Sequence, residues 1–220
     1  MFDDLARSVP LIGLAYAIGC IATGYYLVRF RTGSDVRSQG SGSSGATNAM
    51  RVLGRGAFAA VFAIDVAKGA LAVALARWFD LDTIAVALAG AAVIAGHIWP
   101  VQLGFQGGKG VATAFGAALA FDGWIALVAL VIAGIAFALG IRFVMAGLIG
   151  TTLAPIAALV AGRSGETVIG FALMAALVLL GHRRNIAGVL ARHEPVLRRS
   201  RSRPGGMNRQ GAALAKGKPS

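Results

Sequence analysis

Three short segments hold residues whose types and spacing suit the handling of anions. The first, Gly40 to Arg51, reads GSGSSGATNAMR. Gly40, Gly42 and Gly45 give the backbone access to conformations closed to other residues, so consecutive N–H groups can turn toward one anion. Ser41 and Thr47 add hydroxyl donors, Asn48 is counted with them, and Arg51 offers a planar fork that grips phosphate with paired hydrogen bonds. A Gly/Ser linker has a similar composition. Against that alternative, the segment ends in Gly45-Ala46-Thr47-Asn48 and returns directly to an apolar run.

The second segment, Gly96 to Thr113, reads GHIWPVQLGFQGGKGVAT. Gly107 and Gly108 precede Lys109, and a lysine among glycines at a helix start combines free backbone donors, the positive end of a helix dipole and a point charge. The spacing is not that of a Walker loop. Lys109 equally fits a topology anchor. Trp99 fits an aromatic belt at the membrane interface, and His97 is a supporting residue. The third segment, Gly181 to Glu194, reads GHRRNIAGVLARHE; His182 and Asn185 are three apart and would share a helix face, with Glu194 in support.

Two further charges, Asp65 and Lys68, interrupt an apolar run. Charges inside a membrane span are functional suspects, but their i, i+3 spacing favours a mutual structural pair. The three histidines come without an HExxH pattern or an acid-rich set, so no metal site is expected. Cys20, the only cysteine, rules out an internal disulfide and reads as a small buried residue.

The elements that must position these residues are membrane helices. Of 220 residues, 57% are hydrophobic and 14% charged, and the mean hydropathy is +0.73. That is too apolar for an ordinary soluble domain. The uncharged runs are 8–28, 83–106, 110–121, 123–141, 143–162 and 167–181, and run 57–76 is broken only by Asp65 and Lys68. Run 110–121 is short for a span of roughly 20 residues and re-entry is its alternative. Charge favours crossing. With seven crossings, every one of the 21 basic residues except Arg7, Lys68, Arg77 and Arg163 falls on one side, which the positive-inside rule makes cytoplasmic. Arg142 then lies on that side with Lys109 and Arg51. The expected fold is an all-α integral membrane protein of seven helices, with an external amino terminus and a site built from cytoplasmic loops. Residues 1–199 form one membrane domain and 200–220 a disordered basic cytoplasmic tail. The acidic start, Met1-Phe2-Asp3-Asp4, is unlike a secretory leader. A net charge of +12 is concentrated in alternate loops, which makes nucleic acid the weaker partner reading.

These segments, in this order, resemble the acyl-phosphate:glycerol-3-phosphate acyltransferases of bacterial membranes, the PlsY family. The first family motif, similar to GSGNxGATNxxR, is matched by Gly40-Ser41-Gly42, Gly45-Ala46-Thr47-Asn48 and Arg51. The second, similar to GHxxPxxxxFxGGKGVAT, is matched from Gly96 to Thr113, and Phe62 to Gly69 is also similar. The resemblance implies acyl transfer from acyl phosphate to the sn-1 hydroxyl of glycerol 3-phosphate at the bacterial inner membrane, giving lysophosphatidic acid and phosphate with no cofactor. It implies Ser41, Arg51, Lys109, His182 and Asn185 as catalytic residues, and Gly40, Gly42, Gly45, Thr47, Asn48, Gly107 and Gly108 as phosphate-binding. Membrane lipids are the other partners. The sequence departs from the family at Ser43 and Ser44, at Gly181, Gly188 and Arg192 in the third motif, and at Val144, near which the family carries serine. Arg142 is a supporting residue that would replace a lost positive charge. The alternatives are a diverged paralogue that binds phospholipid precursors and, with less support because no internal repeat is visible, a transporter of phosphorylated small molecules.

Overall fold

The computed structural model describes the backbone of residues 2–193 and the side chains of residues 7–183; Glu194 and the tail 200–220 lie outside the described residues. Every regular element among the described residues is helical: α1 (Phe2–Gly19), α2 (Thr23–Thr32), α3 (Ala46–Leu53), α4 (Arg55–Trp78), α5 (Thr83–Ile98), α6 (Val111–Phe121), α7 (Gly123–Ala138), α8 (Phe143–Val160) and α9 (Gly165–His193). Five helical stretches are long and apolar enough to cross a membrane: 7–32, 55–78, 83–103, 143–160 and 165–183. The apolar helices α6 and α7 are shorter, at 11 and 16 residues.

The first apolar run is not one continuous helix, as its uncharged sequence had suggested. α1 stops at Gly19 and α2 restarts at Thr23. A break inside a span frees carbonyls that lipid cannot satisfy, so protein donors must reach them. Lys68 Nζ donates to Ile21 O at 2.7 Å and to Gly19 O at 3.2 Å, and Gln102 Nε2 donates to Cys20 O. Run 83–106 is likewise only partly helical: α5 ends at Ile98 and a 3-10 turn follows at Val101–Leu103.

Helices pack through small residues, as expected where lipid is as apolar as leucine and close van der Waals contact decides association. A methyl group on Gly69 of α4 would run into Thr113 O of α6, and one on Gly116 of α6 into Val66 O of α4. Gly19 of α1 and Gly96 of α5 meet backbone in the same way. At the opposite end of these helices Arg77 donates to Ala120 O at 2.8 Å and Phe121 O at 3.1 Å, and Arg163 pairs with Asp122 at 2.7 Å. The first polar loop is seated on the helices by a buried apolar cluster of Val28, Val36, Ala46, Ala49, Ala57 and Val61.

Candidate functional site

The first loop is organised around one buried side chain. Asn48, on the first turn of α3, is only 1% exposed. Its Nδ2 donates to Val36 O at 2.9 Å, Ser43 O at 2.9 Å and Gln39 O at 3.0 Å, and its Oδ1 accepts the Ser41 N–H at 2.8 Å. The amide thus closes the loop from within. Gly40 has φ of +58°, and a methyl there would collide with Asn48 Oδ1, so this position excludes other residues both by conformation and by space. Ser41 and Gly42 are exposed, Gly45 caps α3 and Thr47 is half-buried, while the Arg51 stem runs beside Gly40.

The second segment is a loop with a closed neck. Gly108 N donates to His97 O at 2.9 Å and Gly107 N to Ile98 O at 3.0 Å. A methyl group on Gly107 would meet His97 O and Pro100, and one on Gly108 would occupy the imidazole of His97. Both glycines therefore serve close backbone packing at the neck. Lys109 follows, and Gly110, at φ of +85°, starts α6.

The two loops are tied together. Arg37 Nη1 donates to Leu103 O at 2.7 Å while its Nε and Nη2 are gripped by Asp35, and its guanidinium lies 5.3 Å from the centre of the Tyr25 ring. The hydrogen bond from Arg37 holds the Asp35 carboxyl below its ordinary range, against the effect of burial. Ser44 N adds a bond to Gly107 O at 3.3 Å. In the sequence only the spacing of Arg37 from Asp35 signals this contact.

Arg51, Lys109 and His182 converge where the loops meet. Lys109 is half-buried, and its pKa is lowered first by that burial and then by the neighbouring charge of Arg51. Its charge also acts on His182. Gly181 packs against Lys109 O, a methyl there falling at 3.0 Å. His182 is 1% exposed; Nδ1 is 2.9 Å from Val178 O, and Nε2 is buried without a hydrogen-bond partner among the described residues. Since a carbonyl only accepts, Nδ1 carries the hydrogen and Nε2 of the neutral ring is left as an acceptor. Asn185 lies further along α9, Glu194 falls outside the described residues, and Arg142 stands exposed at the N-cap of α8.

Away from this convergence, Asp65 and Lys68 are 1% and 4% exposed, and their charged atoms lie 2.9 Å apart. Asp65 Oδ1 also accepts from Thr23 Oγ1 at 3.3 Å and stands 3.5 Å from His97 Nδ1. Among the described residues no group of three or more His, Cys, Asp or Glu is arranged to hold a metal ion.

Known proteins share both sequence and architecture with this chain. The family model described as Glycerol-3-phosphate acyltransferase matches residues 9–192. Glycerol-3-phosphate acyltransferase 1 of Desulfitobacterium hafniense (strain Y51) is 46% identical over 176 residues, covering 80% of this chain and 87% of the relative. The glycerol-3-phosphate acyltransferase of Synechococcus sp. (strain CC9902) is 40% identical over 191 residues, covering 87% and 96%. The crystal structure of PlsY, an integral membrane glycerol 3-phosphate acyltransferase, in its glycerol 3-phosphate form superposes with a TM-score of 0.78 at 33% identity, covering 86% of this chain and 94% of that one. A second crystal structure of PlsY, its lysophosphatidic acid form, gives a TM-score of 0.75 at 32% identity. A family model that covers the first two polar segments and most of the third, together with a shared helical architecture, makes this multi-pass membrane protein a member of the glycerol-3-phosphate acyltransferase family.

Proposed function

We propose that this chain transfers a fatty acyl group from acyl phosphate to the sn-1 hydroxyl of glycerol 3-phosphate, giving lysophosphatidic acid and inorganic phosphate for phospholipid synthesis. The observation that carries the reading is the convergence of two cations, Arg51 and Lys109, with the buried acceptor His182 Nε2 where two glycine-containing loops meet. Both substrates bear phosphate, and two cations on separate loops suit two anions. The relatives, which are glycerol-3-phosphate acyltransferases, and the PlsY structures in glycerol 3-phosphate and lysophosphatidic acid forms support this acceptor and product.

Acyl phosphate is an activated mixed anhydride, so binding, orientation and charge stabilisation carry the acceleration. The glycerol hydroxyl oxygen attacks the acyl carbonyl carbon, the carbon–oxygen bond to phosphate breaks, and the hydroxyl proton leaves with a phosphate oxygen. The Ser41 and Thr47 hydroxyls hold one phosphate, beside a loop whose Ser41, Gly42, Ser44 and Gly45 N–H groups are spent on Asn48, Gln39, Gly107 and Ser43; Arg51 and Lys109 neutralise charge; His182 and Asn185 orient the donor. Asn48, Gly107 and Gly108 act by shaping the loops, since the Asn48 donors are spent on loop carbonyls and the glycines face His97. Glu194 and Arg142 support the charge balance.

Seven crossings put this site on the cytoplasmic face of the bacterial inner membrane, with an external amino terminus, residues 1–199 as one domain and 200–220 as a basic tail. Although α6 is short, Arg77 near the end of α4 reaches the last carbonyls of α6, which supports α6 completing a crossing that begins deep, at the Lys109 loop. The deciding experiment is phosphate release from palmitoyl phosphate by detergent-purified protein, with and without glycerol 3-phosphate and against palmitoyl-CoA as donor. Acceptor-dependent release matched by lysophosphatidic acid is expected. Turnover with the thioester alone would overturn the donor, and no turnover alongside binding would favour the diverged paralogue.

A further inference from the structure

The Asp65–Lys68 pair extends toward the site through a third residue. Each hydrogen of the Lys68 ammonium has an acceptor: Asp65 Oδ1 at 2.9 Å, Ile21 O at 2.7 Å and Gly19 O at 3.2 Å. Lys68 therefore has no donor left for a substrate, and its work is to hold the break between α1 and α2. That accounts for the pair, but not for His97. The imidazole comes from a different helix, is 6% exposed, and directs Nδ1 at the same carboxylate oxygen from 3.5 Å. Nδ1 makes no hydrogen bond among the described residues. A buried ring nitrogen is costly to leave unmatched, and the carboxylate lies only a few tenths of an ångström beyond hydrogen-bond length. On its other edge the ring abuts Gly108, and the His97 carbonyl accepts the Gly108 N–H at 2.9 Å. His97 thus grips the residue before Lys109 with both its ring and its backbone.

We propose that Asp65, acting through His97, is a positioning residue for Lys109: an ion-paired carboxylate inside the membrane fixes the glycine neck that presents the lysine to phosphate. The inference rests on the reading of Lys109 as a phosphate ligand. Lys68 holds Asp65 in place, Asp65 orients the ring, and the ring wall against Gly108 sets where Lys109 emerges. The device lies on the protein side of the loop and touches no substrate.

The test uses the full chain in detergent and three variants. His97→Leu removes the ring nitrogens and leaves the ion pair whole. Asp65→Asn/Lys68→Gln removes both charges, so no buried charge is stranded, while the Gln amide keeps a donor for the carbonyls of the helix break. His97→Asn keeps a nitrogen where Nδ1 stands. Two quantities are read: kcat and KM for glycerol 3-phosphate, and the rate of Lys109 acetylation by an N-hydroxysuccinimide ester, followed by peptide mass spectrometry. His97→Leu and the double variant are expected to raise KM about tenfold with kcat within about threefold, and to change the Lys109 rate at least about threefold. His97→Asn, which keeps a donor for Asp65 but loses the ring wall against Gly108, is expected to recover part of both. Folded variants with the parent's KM and the parent's Lys109 rate would overturn the proposal, leaving the pair a brace for the helix break. If His97→Leu does not fold, the double variant decides by the same readings. Should the parent itself show no turnover, the proposed activity fails, while Lys109 acetylation still decides the positioning role.

Discussion

The side-chain oxygen of Asn48 accepts the backbone N–H of Ser41 at 2.8 Å, so a residue inside the first turn of α3 fixes the backbone of the exposed serine seven positions earlier. Its nitrogen serves three loop carbonyls in the same stroke. In Asn48→Ala all these groups lose their partner in a site that is almost fully buried, a loss of about 1–3 kcal/mol for the groups left unmatched. The variant is expected to melt several degrees below the parent, and to show a raised KM for glycerol 3-phosphate because the Ser41 backbone is released. A melting curve and steady-state kinetics check both halves; an unchanged melting temperature would remove Asn48 from this role.

Lys109 predicts a pH dependence. Burial, then the charge of Arg51, lowers its pKa, so it gives up its proton at a lower pH than an ordinary lysine. Phosphate binding that needs the ammonium is then lost as pH rises through that lowered value. The expected profile of kcat/KM for glycerol 3-phosphate falls on the alkaline side. Removing the neighbouring charge in Arg51→Gln should move that fall to higher pH while lowering the plateau by about 10- to 100-fold, the effect of one charge-assisted phosphate contact of about 1.5–3 kcal/mol. An alkaline limb that stays in place in Arg51→Gln contradicts the electrostatic coupling.

The helical class and the polar segments were legible because lipid imposes long uncharged runs and leaves charge to the loops. Asp65 and Lys68 were legible for the same reason, as two charges where none is expected. Their connection was not. Nothing in the run from Ser8 to Val28 signals a break at Cys20, because Ile21 and Ala22 are as apolar as their neighbours; the break exists because Lys68 and Gln102, distant in sequence, supply donors to its carbonyls. Gly107 and Gly108 read from sequence as room for a phosphate to approach. Their closest neighbour is instead His97, ten residues back, a contact that only the closed neck creates. Asn48 illustrates the same limit, since an asparagine among glycines and serines looks like a ligand until its donors are traced.

Asp35 and Arg37 predict an acid-side effect on stability. The Arg37 hydrogen bond holds Asp35 below its ordinary carboxylate value, and Arg37, raised by the same contact, keeps its charge throughout. A carboxyl with a lowered folded-state pKa contributes stability above its unfolded value and loses it as pH falls through the folded value. Both side chains are partly exposed, so the contribution is small. Asp35→Asn is therefore expected to melt slightly below the parent at neutral pH, and the gap is expected to close as pH drops below the ordinary carboxylate range. A gap that persists unchanged to the acid limit would assign the difference to packing.

His182 predicts a separation of stability from activity. Its Nε2 is buried with no partner among the described residues, while Nδ1 is satisfied by Val178 O at 2.9 Å. In the substrate-free protein the unmatched acceptor costs about 1–3 kcal/mol of desolvation, and the Nδ1 bond returns about 0.5–1.5 kcal/mol. Replacing the ring by an apolar side chain of similar size removes both, so His182→Leu is expected to melt within a few degrees of the parent. Turnover should nonetheless fall at least about 100-fold if Nε2 accepts a hydrogen bond that orients substrate in the transition state. An ordinary buried histidine behaves in the opposite way, with stability lost and activity per folded molecule kept. Thermal denaturation and turnover measured on the same preparation distinguish the two, because only a residue held unsatisfied for a ligand becomes cheap to delete from the fold and costly to delete from the reaction.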